Sequence, residues 1–549
     1  MAFLVHHILS ESAAKYPEKA ALVFRNDTVT YAELDRESSR LASHLSALGI
    51  DRGARVGIYL NRSIFSISAA FGIMKAGATY VPIDPLCPPE RLSYIINKCG
   101  ITCLLATRDK LAAISQVFPA RSPLEWIVVM NGLDSDTRIP GSTKLVDWQK
   151  IRQSVEAEIP RTASIETDLA YILFTSGSTG NPKGVKLSHL NSLTFVNSAH
   201  DFFRITESDR FSNICPLHFD MSVFDLFVAF KAGATVIIIP ETTAAFPVKL
   251  AEAIAHHRIT VWNSVPSALS LLAAYKNLEN HDLSSLRLVL FAGELFPLKY
   301  LRRLQEAVPT ARYCNMYGQT EANSSTYYWV DHLPEDAEGP LPIGRALPNF
   351  EVFALDMNGN RITEPGQEGE LHVRASTVSS GYWEESEKTG KAFINNPLCQ
   401  DTSEKVYKTG DLVHLDADGN YVFLGRKDHM IKSRGYKIEI GEIEHAVCNH
   451  PDIKTAVVVP IPDELIGNRI SLLVVPLSPG TLARDDIIKH CLQRLPRYMI
   501  PEIIEFHDSL PATSSGKIDR KKLSDDILIR TSNPECCSVS YQTSGEHMV

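Results

Sequence analysis

The stretch YILFTSGSTGNPKGVKLSH, residues 171–189, joins an apolar segment to a loop of Gly, Ser and Thr that leads to Lys183. The apolar start is typical of a buried strand. In the loop, glycines let backbone N–H groups turn towards an anion, hydroxyls add donors and Lys183 adds a positive charge. The stretch therefore predicts a phosphate-binding loop between a strand and a following helix, where ligands meet parallel sheets.

This loop differs from the common P-loop of nucleotide-binding proteins. The pattern G-x-x-x-x-G-K-[ST] is absent, because Pro182 precedes Lys183 and Gly184 follows it. A kinase-like nucleotide site is therefore disfavoured. Taken alone, the stretch also fits a solvated surface loop.

The segments around the loop indicate an α/β fold. A capping box of Thr30 and Glu33 begins a helical pattern that stops at Gly49. Nearly continuous apolar strands then alternate with helical segments over roughly the first 350 residues, which predicts layered parallel sheets with flanking helices. From about Asn349 the turn sequences MNGN, EPGQEG and DADGN indicate a distorted, more antiparallel sub-region.

A chain of 549 residues is too long for one ordinary core. We expect a large N-terminal domain over residues 1–427 and a small, mobile α+β domain over 428–525. The boundary falls in the charged, Gly-punctuated segment GRKDHMIKSRGYKIEIGEIE. The polar, aperiodic residues 526–549 are expected to be a disordered tail.

The bulk properties exclude several classes of function. A formal net charge of −9 argues against a general nucleic-acid-binding protein. The sequence shows no apolar run long enough to span a membrane and no signal peptide at its start. The ten cysteines lack zinc-like spacing and are typical of a reducing compartment, so a cytoplasmic location is expected.

Three further motifs carry groups that suit a nucleotide. In NMYGQTEAN, Tyr317 can stack on a base, Thr320 can bind a phosphate oxygen and Glu321 can hold Mg²⁺. YKTGDL presents Asp411, which suits ribose hydroxyls, and LGRKD presents Arg426. Each motif alone is compatible with an ordinary turn, but together and in this order they indicate a nucleotide site.

The set of motifs resembles the adenylate-forming superfamily: acyl-CoA synthetases, firefly luciferase and the adenylation domains of nonribosomal peptide synthetases. The resemblance covers nearly the whole chain, from TYAEL and MKAGATYVPIDP through TSGSTGNPKGV, HFDMSVFD, NMYGQTE and YKTGDL to LPRYMIP and SSGKIDR. It implies an enzyme that joins a carboxylate to ATP, releases pyrophosphate and passes the acyl group to a thiol. ATP and Mg²⁺ are the expected cofactors.

The resemblance also assigns roles to residues. Those expected to grip the β- and γ-phosphates are Thr175, Ser176, Gly177, Ser178, Thr179, Gly180 and Lys183. Those expected around adenine, ribose, phosphate and Mg²⁺ are Gly293, Glu294, Asn315, Tyr317, Gly318, Thr320, Glu321, Asp411 and Arg426. Lys517 corresponds to the catalytic lysine that bridges the carboxylate and the α-phosphate, with Thr175 and Glu321 as further catalytic residues. Asp428 corresponds to the hinge of the small domain, and Gly435 to a residue near the entry tunnel of the thiol.

The substrate is inferred from FDMSVFD. Asp220 lies where amino-acid-activating members keep an aspartate against the α-ammonium group, and a carboxylate in an apolar acyl pocket is costly unless it meets a cation. The other expected pocket residues are uncharged: Met221, Phe224, Asn263, Leu290, Ala292, Met316, Ser324 and Ser325. They favour a small apolar amino acid, with proline first. Other small apolar and β-amino acids stay open, since one methylene contributes only about 1–3 kcal/mol of discrimination.

Two other functions compete with this one. Asp220 counts against an acid:CoA ligase. A non-enzymatic nucleotide-binding homologue would be expected to lose catalytic groups, whereas Lys183, Glu321 and Lys517 are all present. Because no carrier attachment site follows Lys517, the expected thiol is the phosphopantetheine of a separate carrier protein. Gln319 replaces the Pro that is usual in this family, which is expected to alter nucleotide affinity in a direction that the sequence leaves open.

Overall fold

The computed structural model describes residues 2–117, 123–134, 137–139, 141–153, 162–177, 180–331, 333, 339–399, 404–427, 430–478, 480, 482–511 and 520–532. The strands are β1 (Ala20–Phe24), β2 (Asp27–Thr30), β3 (Arg55–Tyr59), β4 (Thr79–Pro82), β5 (Cys103–Ala106), β6 (Trp126–Val129), β7 (Lys144–Asp147), β8 (Leu169–Thr175), β9 (Lys183–Ser188), β10 (Arg210–Asn213), β11 (Thr235–Ile238), β12 (Val261–Ser264), β13 (Leu288–Ala292), β14 (Arg312–Gln319), β15 (Asn323–Trp329), β16 (Arg345–Ala346), β17 (Glu351–Leu355), β18 (Glu368–Arg374), β19 (Phe393–Asn395), β20 (Lys405–Leu415), β21 (Tyr421–Arg426), β22 (Met430–Ser433), β23 (Tyr436–Glu439), β24 (Ile453–Asp463), β25 (Gly467–Pro476) and β26 (Ile503–Phe506).

The α-helices are α1 (Val5–Lys15), α2 (Tyr31–Ala47), α3 (Ile64–Lys75), α4 (Pro89–Cys99), α5 (Leu111–Val117), α6 (Trp148–Ile151), α7 (His189–Phe202), α8 (Ala229–Ala232), α9 (Glu241–Ala244), α10 (Pro247–His257), α11 (Pro266–Ala274), α12 (Leu298–Ala307), α13 (Ser386–Ala392), α14 (Ile440–Cys448), α15 (Arg484–Arg494) and α16 (Arg520–Ser532). A π-helix, Phe224–Val228, precedes α8 directly.

Two large sheets form the N-terminal part. One has the strand order β7-β6-β5-β3-β4-β8-β9, and the other has the order β16-β15-β14-β13-β12-β10-β11-β1-β2. Their central pairs are parallel, while antiparallel pairs such as β8 with β9 and β14 with β15 lie towards the ends. The predicted layers of parallel sheets are confirmed.

Helix α2 shows how local sequence signals set the start of a helix and the face that it buries. The side chain of Thr30 accepts from the backbone N–H of Glu33, and the Glu33 side chain accepts from the N–H of Thr30, as the capping box predicts. Leu34 and Leu41 recur at helical spacing and are buried in the same core as the helix α3 residue Phe71. One apolar core therefore joins the helices to both sheets.

The loop after β8 is followed by a strand and not by the predicted helix. Strand β9 pairs antiparallel with β8 in a register that brings Lys183 opposite Thr175. The alternation of apolar and polar residues explains this strand. Val185 and Leu187 are buried in the core, whereas Lys186 between them lies on the other face. The helix α7 starts only after Ser188, whose side chain caps it. The Gly/Ser/Thr loop is therefore the connection of a β-hairpin.

The C-terminal third has the antiparallel character that its turn signals predict. Strands β17, β18, β20, β19 and β21 form an antiparallel sheet. The hairpin β22–β23 follows, and then β24, β25 and β26 with α14 and α15 packed beside them. The predicted boundary at Asp428 lies outside the described residues. Helix α16 extends to Ser532, into the segment expected to be a tail, and residues 533–549 are outside the described part.

A search of the described residues finds no helix with the length and apolar character needed to cross a bilayer.

A buried ion pair holds the small C-terminal unit against the large one. Arg91 of α4 donates to the Oε1 atom of Glu442 of α14 at 2.5 Å, and both side chains are nearly inaccessible to solvent. A second pair crosses the same interface at the surface, where Arg494 and Glu90 approach only to 3.9 Å. The two pairs cross the same interface, but only the pair of Arg91 and Glu442 is buried away from water. The exposed pair is therefore a control for the buried one.

We predict that Arg91→Ala lowers the free energy of unfolding by about 3–5 kcal/mol, because it leaves the Glu442 carboxylate buried without its cation. The matched variant Arg494→Ala is expected to change it by at most about 1 kcal/mol, since exposed pairs contribute little. Urea unfolding of the full chain measures both values. Equal effects of the two variants would contradict the assignment.

Candidate active site

The site lies where the β8–β9 loop, the end of β14 and the hairpin β22–β23 meet. A cavity of about 130 Å³ is lined there by Thr175, Asp220 and Arg426, among others. A second cavity of about 510 Å³ lies beside it and shares Asp411 and Arg426 with the first. Residues that are far apart in the sequence therefore converge on one pair of cavities.

Glu321 is the centre of a buried charged cluster. Its Oε1 atom accepts from the hydroxyl of Tyr382 at 2.9 Å and lies 3.3 Å from the Nζ atom of Lys183. Its Oε2 atom is buried and has no hydrogen-bond partner among the described residues. Burial alone would raise the pKa of this carboxyl, but Lys437, Lys183 and the Tyr382 hydroxyl together hold it well below the usual range. Glu321 is therefore an ionised carboxylate with one free oxygen.

That free oxygen suits a hard divalent cation. Mg²⁺ prefers carboxylate oxygens and is bound through one or two of them together with substrate phosphates. The loop that is predicted to hold phosphates lies directly beside it, because Lys183 ends this loop and contacts Glu321. The residues present therefore fit Mg²⁺ at Glu321.

The β8–β9 loop donates hydrogen bonds to the small C-terminal unit. The backbone N–H of Gly177 donates to the Oε2 atom of Glu442 at 3.2 Å, and the hydroxyl of Ser176 donates to the carbonyl oxygen of Lys437 at 2.7 Å. The Oγ1 atom of Thr175 is buried without a partner in the described part of the chain. A loop that offers its N–H to a carboxylate is able to bind an anion. Ser178 and Thr179 lie outside the described residues, and Gly180 has a φ of +84°.

Asp411 is surrounded by donors. Its Oδ2 atom accepts from the hydroxyl of Tyr317 and, at 2.6 Å, from the amide of Gln319. Its Oδ1 atom accepts from Arg426 at 2.5 Å. Burial and the neighbouring Asp411 carboxylate raise the pKa of Tyr317 well above its usual value, so this hydroxyl keeps its proton. Asp411 thus accepts hydrogen bonds from three side chains and lines both cavities.

The residues predicted to frame adenine line the larger cavity. They include Gly293, Glu294 and Asn315 together with Tyr317. The carboxylate of Glu294 accepts from the backbone N–H of Ser267 at 2.9 Å and from that of Gly435 in the hairpin. Burial raises the pKa of Glu294. Glu294 therefore connects the predicted adenine site to the small C-terminal unit, while Gly318 lines the smaller cavity.

Asp220 lines the smaller cavity without a cationic partner. Its Oδ2 atom accepts from the hydroxyl of Thr320 at 2.9 Å, and within the described part of the chain no Lys, Arg or His nitrogen forms an ion pair with it. Desolvation raises the pKa of Asp220. A carboxylate with this environment is stabilised by a cation that enters the cavity. Thr320, predicted to bind phosphate, thus contacts Asp220 here.

The predicted substrate pocket is only partly assembled around this cavity. Met221, Ala292 and Ser324 line it. Met316 lines the larger cavity. Phe224, Asn263, Leu290 and Ser325 are buried and line neither of the two cavities.

Asn263 has a specific reason for its position. Its amide donates at 2.7 Å to Asp225, which also accepts from the amide of Asn213. Burial raises the pKa of Asp225 to about 7. Asp225 is not among the residues predicted from the sequence, although it ends the same FDMSVFD motif. Tyr382, Lys437 and Glu442 are not among them either.

Besides Ser178 and Thr179, two further predicted residues cannot be placed in this geometry. Lys517 and Asp428 lie outside the described residues. Gly435 is in contact with Val265 and Glu294, on the β22–β23 hairpin that closes one side of the cavities. The described parts of the small unit at the site are this hairpin, Glu442 of α14, Tyr498 and the turn between β24 and β25.

The chain is similar to known proteins over most of its length. A model of the AMP-binding enzyme family matches residues 9–383, and a model of the AMP-binding enzyme C-terminal domain matches residues 442–517. The L-proline--[L-prolyl-carrier protein] ligase of Pseudomonas fluorescens is 36% identical over 94% of this chain and 98% of its own length. The ligase of the same name from Streptomyces coelicolor is 35% identical over 95% and 97%. The amide bond synthetase McbA from Marinactinospora thermotolerans superposes with a TM-score of 0.83 at 24% identity, covering 95% of this chain and 99% of that one.

We predict that Tyr382→Phe weakens the binding of a magnesium–nucleotide complex by about tenfold or more, because hydrogen bonds to charged groups contribute about 1.5–3 kcal/mol. The variant leaves Glu321 without the hydroxyl that orients it. Calorimetric titration with MgATP measures the change. Tyr421→Phe is the control, because its hydroxyl bonds a carbonyl away from the site, and equal losses in both variants would refute the role of Tyr382.

Proposed function

The chain belongs to the AMP-binding enzyme family, and we propose that it activates a small amino acid, proline first, as an aminoacyl-AMP and transfers it to the phosphopantetheine thiol of a separate carrier protein. Asp220 carries this proposal. Its carboxylate lines a small cavity beside the predicted phosphate loop and has no cationic partner among the described residues. An α-ammonium group supplies the charge that such a carboxylate needs.

The first step joins the amino acid to AMP. A carboxylate oxygen of the substrate attacks the α-phosphorus of ATP, and the bond between that phosphorus and the bridging oxygen of pyrophosphate breaks. Negative charge grows on the phosphate oxygens, so pre-placed donors and cations lower the barrier. Lys183 and the loop N–H groups supply them, and Mg²⁺ held by Glu321 would neutralise further phosphate charge.

The second step moves the aminoacyl group to sulfur. The thiolate attacks the acyl carbon, the bond to the phosphate oxygen breaks, and AMP leaves. Lys517 is assigned to the first step only, by its correspondence to the catalytic lysine of the superfamily. We propose that the unit after Asp428 rotates between the two steps, so that either Lys517 or the β22–β23 hairpin faces the cavities.

The size of the cavity limits the side chain. About 130 Å³ is available beside Asp220, and Met221 and Ala292 contribute uncharged walls. The names of the two ligases that are 35–36% identical support proline as the amino acid and a carrier protein as the acceptor.

Amino-acid-dependent ATP–pyrophosphate exchange tests the proposal. The full chain is assayed with the proteinogenic amino acids, several β-amino acids and carboxylic acids without an amino group. A response to proline or another small apolar amino acid supports it, and loading of a phosphopantetheinylated carrier protein then identifies the acceptor. A response confined to acids without an amino group would favour an acid:CoA ligase instead.

We predict that Asp220→Asn raises the KM for the amino acid at least tenfold and leaves the KM for ATP nearly unchanged. Only the ionised carboxylate attracts the ammonium group. Because burial raises the pKa of Asp220, the wild-type KM for the amino acid should rise as the pH falls through that raised pKa, at a higher pH than for an exposed aspartate. The variant should lose this pH dependence. Parallel increases in both KM values would remove Asp220 from the ammonium site.

We predict that Lys517→Ala reduces pyrophosphate exchange by about 100-fold or more, since it removes the cation assigned to the α-phosphate. Transfer from chemically prepared aminoacyl-AMP to the carrier thiol should remain near the wild-type rate. Lys521→Ala, four positions further along the sequence, is the control for loss of one positive charge. Near-normal exchange by Lys517→Ala would refute the assignment.

A further inference from the structure

Gln319 holds a position in the site that the proposed mechanism does not use. It ends strand β14, and its Nε2 atom lies 2.6 Å from the Oδ2 atom of Asp411 and 2.5 Å from the hydroxyl oxygen of Tyr317. The side chain is nine-tenths buried and lines the smaller cavity. It is therefore part of the cluster around Asp411 and not a surface residue of a turn.

The orientation of the Gln319 amide follows from the charge of Asp411. A carboxylate accepts hydrogen bonds and cannot donate them, so the NH₂ side of the amide must face it. The carbonyl side, Oε1, is then directed away from Asp411. Reversing the amide would bring two acceptor oxygens together at 2.6 Å. The acceptor face of Gln319 is thus fixed by its partner.

This Oε1 atom is buried and has no donor within hydrogen-bonding distance among the described residues. Buried side-chain acceptors in folded proteins are nearly always paired, so an orphaned one beside a ligand cavity points to a donor on the ligand. A phosphate group carries no donor at neutral pH. The matching ligand group is a hydroxyl or an N–H.

The hydrogen bonds of Asp411 favour a hydroxyl over an N–H as the ligand group that donates to Gln319. Tyr317, Gln319 and Arg426 already donate to its two oxygens, and a carboxylate offers about four acceptor positions. Among the described residues this leaves about one position for a ligand donor, and Gln319 adds the unpaired acceptor Oε1 on the other side of the amide that bonds Asp411. One acceptor on each of these two hydrogen-bonded side chains matches the two adjacent hydroxyl groups of a ribose.

We propose that Gln319 is a nucleotide-binding residue that accepts a hydrogen bond from one ribose hydroxyl while Asp411 accepts from its neighbour. The inference rests on the proposed function for the identity of the nucleotide. Gln319 then adds selectivity for a ribonucleotide over a deoxyribonucleotide, a property that Asp411 with its single remaining position provides only in part.

The test measures how the loss of one ligand hydroxyl changes the binding affinity, with and without the Gln319 side chain. The full chain and its Gln319→Met variant are titrated calorimetrically with AMP, 2′-deoxy-AMP and 3′-deoxy-AMP, so that no turnover is needed. The wild type should lose about five- to tenfold in affinity when the hydroxyl that Gln319 contacts is removed. In the variant, that ratio should fall to near one, whereas removal of the other hydroxyl should still weaken binding.

Gln305→Met is the matched control. Gln305 also donates one amide hydrogen bond, to the carbonyl of Val330, but it lies on α12 and lines neither cavity. Both discrimination ratios should be unchanged in it. Gln319→Leu provides a second variant if Gln319→Met does not fold.

The outcomes separate the two proposals. If both ratios in the Gln319 variants equal those of the wild type while AMP affinity falls, Gln319 has only a structural role and the inference is overturned. If the wild-type chain binds none of the three nucleotides, the proposed function fails as well. The assignment is supported if, in the Gln319 variants, only one of the two affinity ratios falls to near one while the melting temperature is unchanged.

Discussion

The buried carboxylate of Glu321 is the constraint on which the site depends. It draws together Lys183 from β9, Tyr382 from the segment after β18 and Lys437 from the hairpin β22–β23. Each of these groups belongs to a different part of the fold, and together they keep the Glu321 carboxyl ionised. An ionised group in such surroundings must be matched closely, because an uncompensated buried charge costs several kcal/mol. The sheets and the small C-terminal unit are positioned around that requirement.

Much of this arrangement could be predicted from the sequence because the signals are local. The alternation of apolar strands and helical segments predicted the parallel sheets, and the turn signals predicted the antiparallel region. The motifs selected Glu321, Asp411, Arg426 and Asp220, which all lie at the two cavities or beside them. The prediction of a helix directly after the phosphate loop was wrong. Val185 and Leu187 alternate with residues that do not share their face, which favours a strand, and the helix begins only after its cap Ser188.

The partners of these residues could not be predicted in the same way. Gly177 and Glu442 are separated by 265 positions and Gln319 and Asp411 by 92, so no periodicity relates them. Which atom of a side chain remains unpaired is a property of the packed structure. Asn263 is the clearest case, because its residue type suited a substrate pocket while Asp225, four positions beyond Met221, binds its amide. Whether a residue lines the pocket depends on the side chains that it bonds in the folded protein as much as on its position in a sequence alignment.

The hydrogen bond from Gly177 to Glu442 has a consequence for the order of events. A backbone N–H that donates to the Glu442 carboxylate is not available to a phosphate oxygen in the same place. The arrangement in which α14 contacts the loop and the arrangement in which the loop grips a pyrophosphate group are therefore competitors for one donor. In the proposed cycle, departure of the inorganic product and docking of the small unit would be a single exchange of one anion for another, which would give the two half-reactions a direction without any additional sensor.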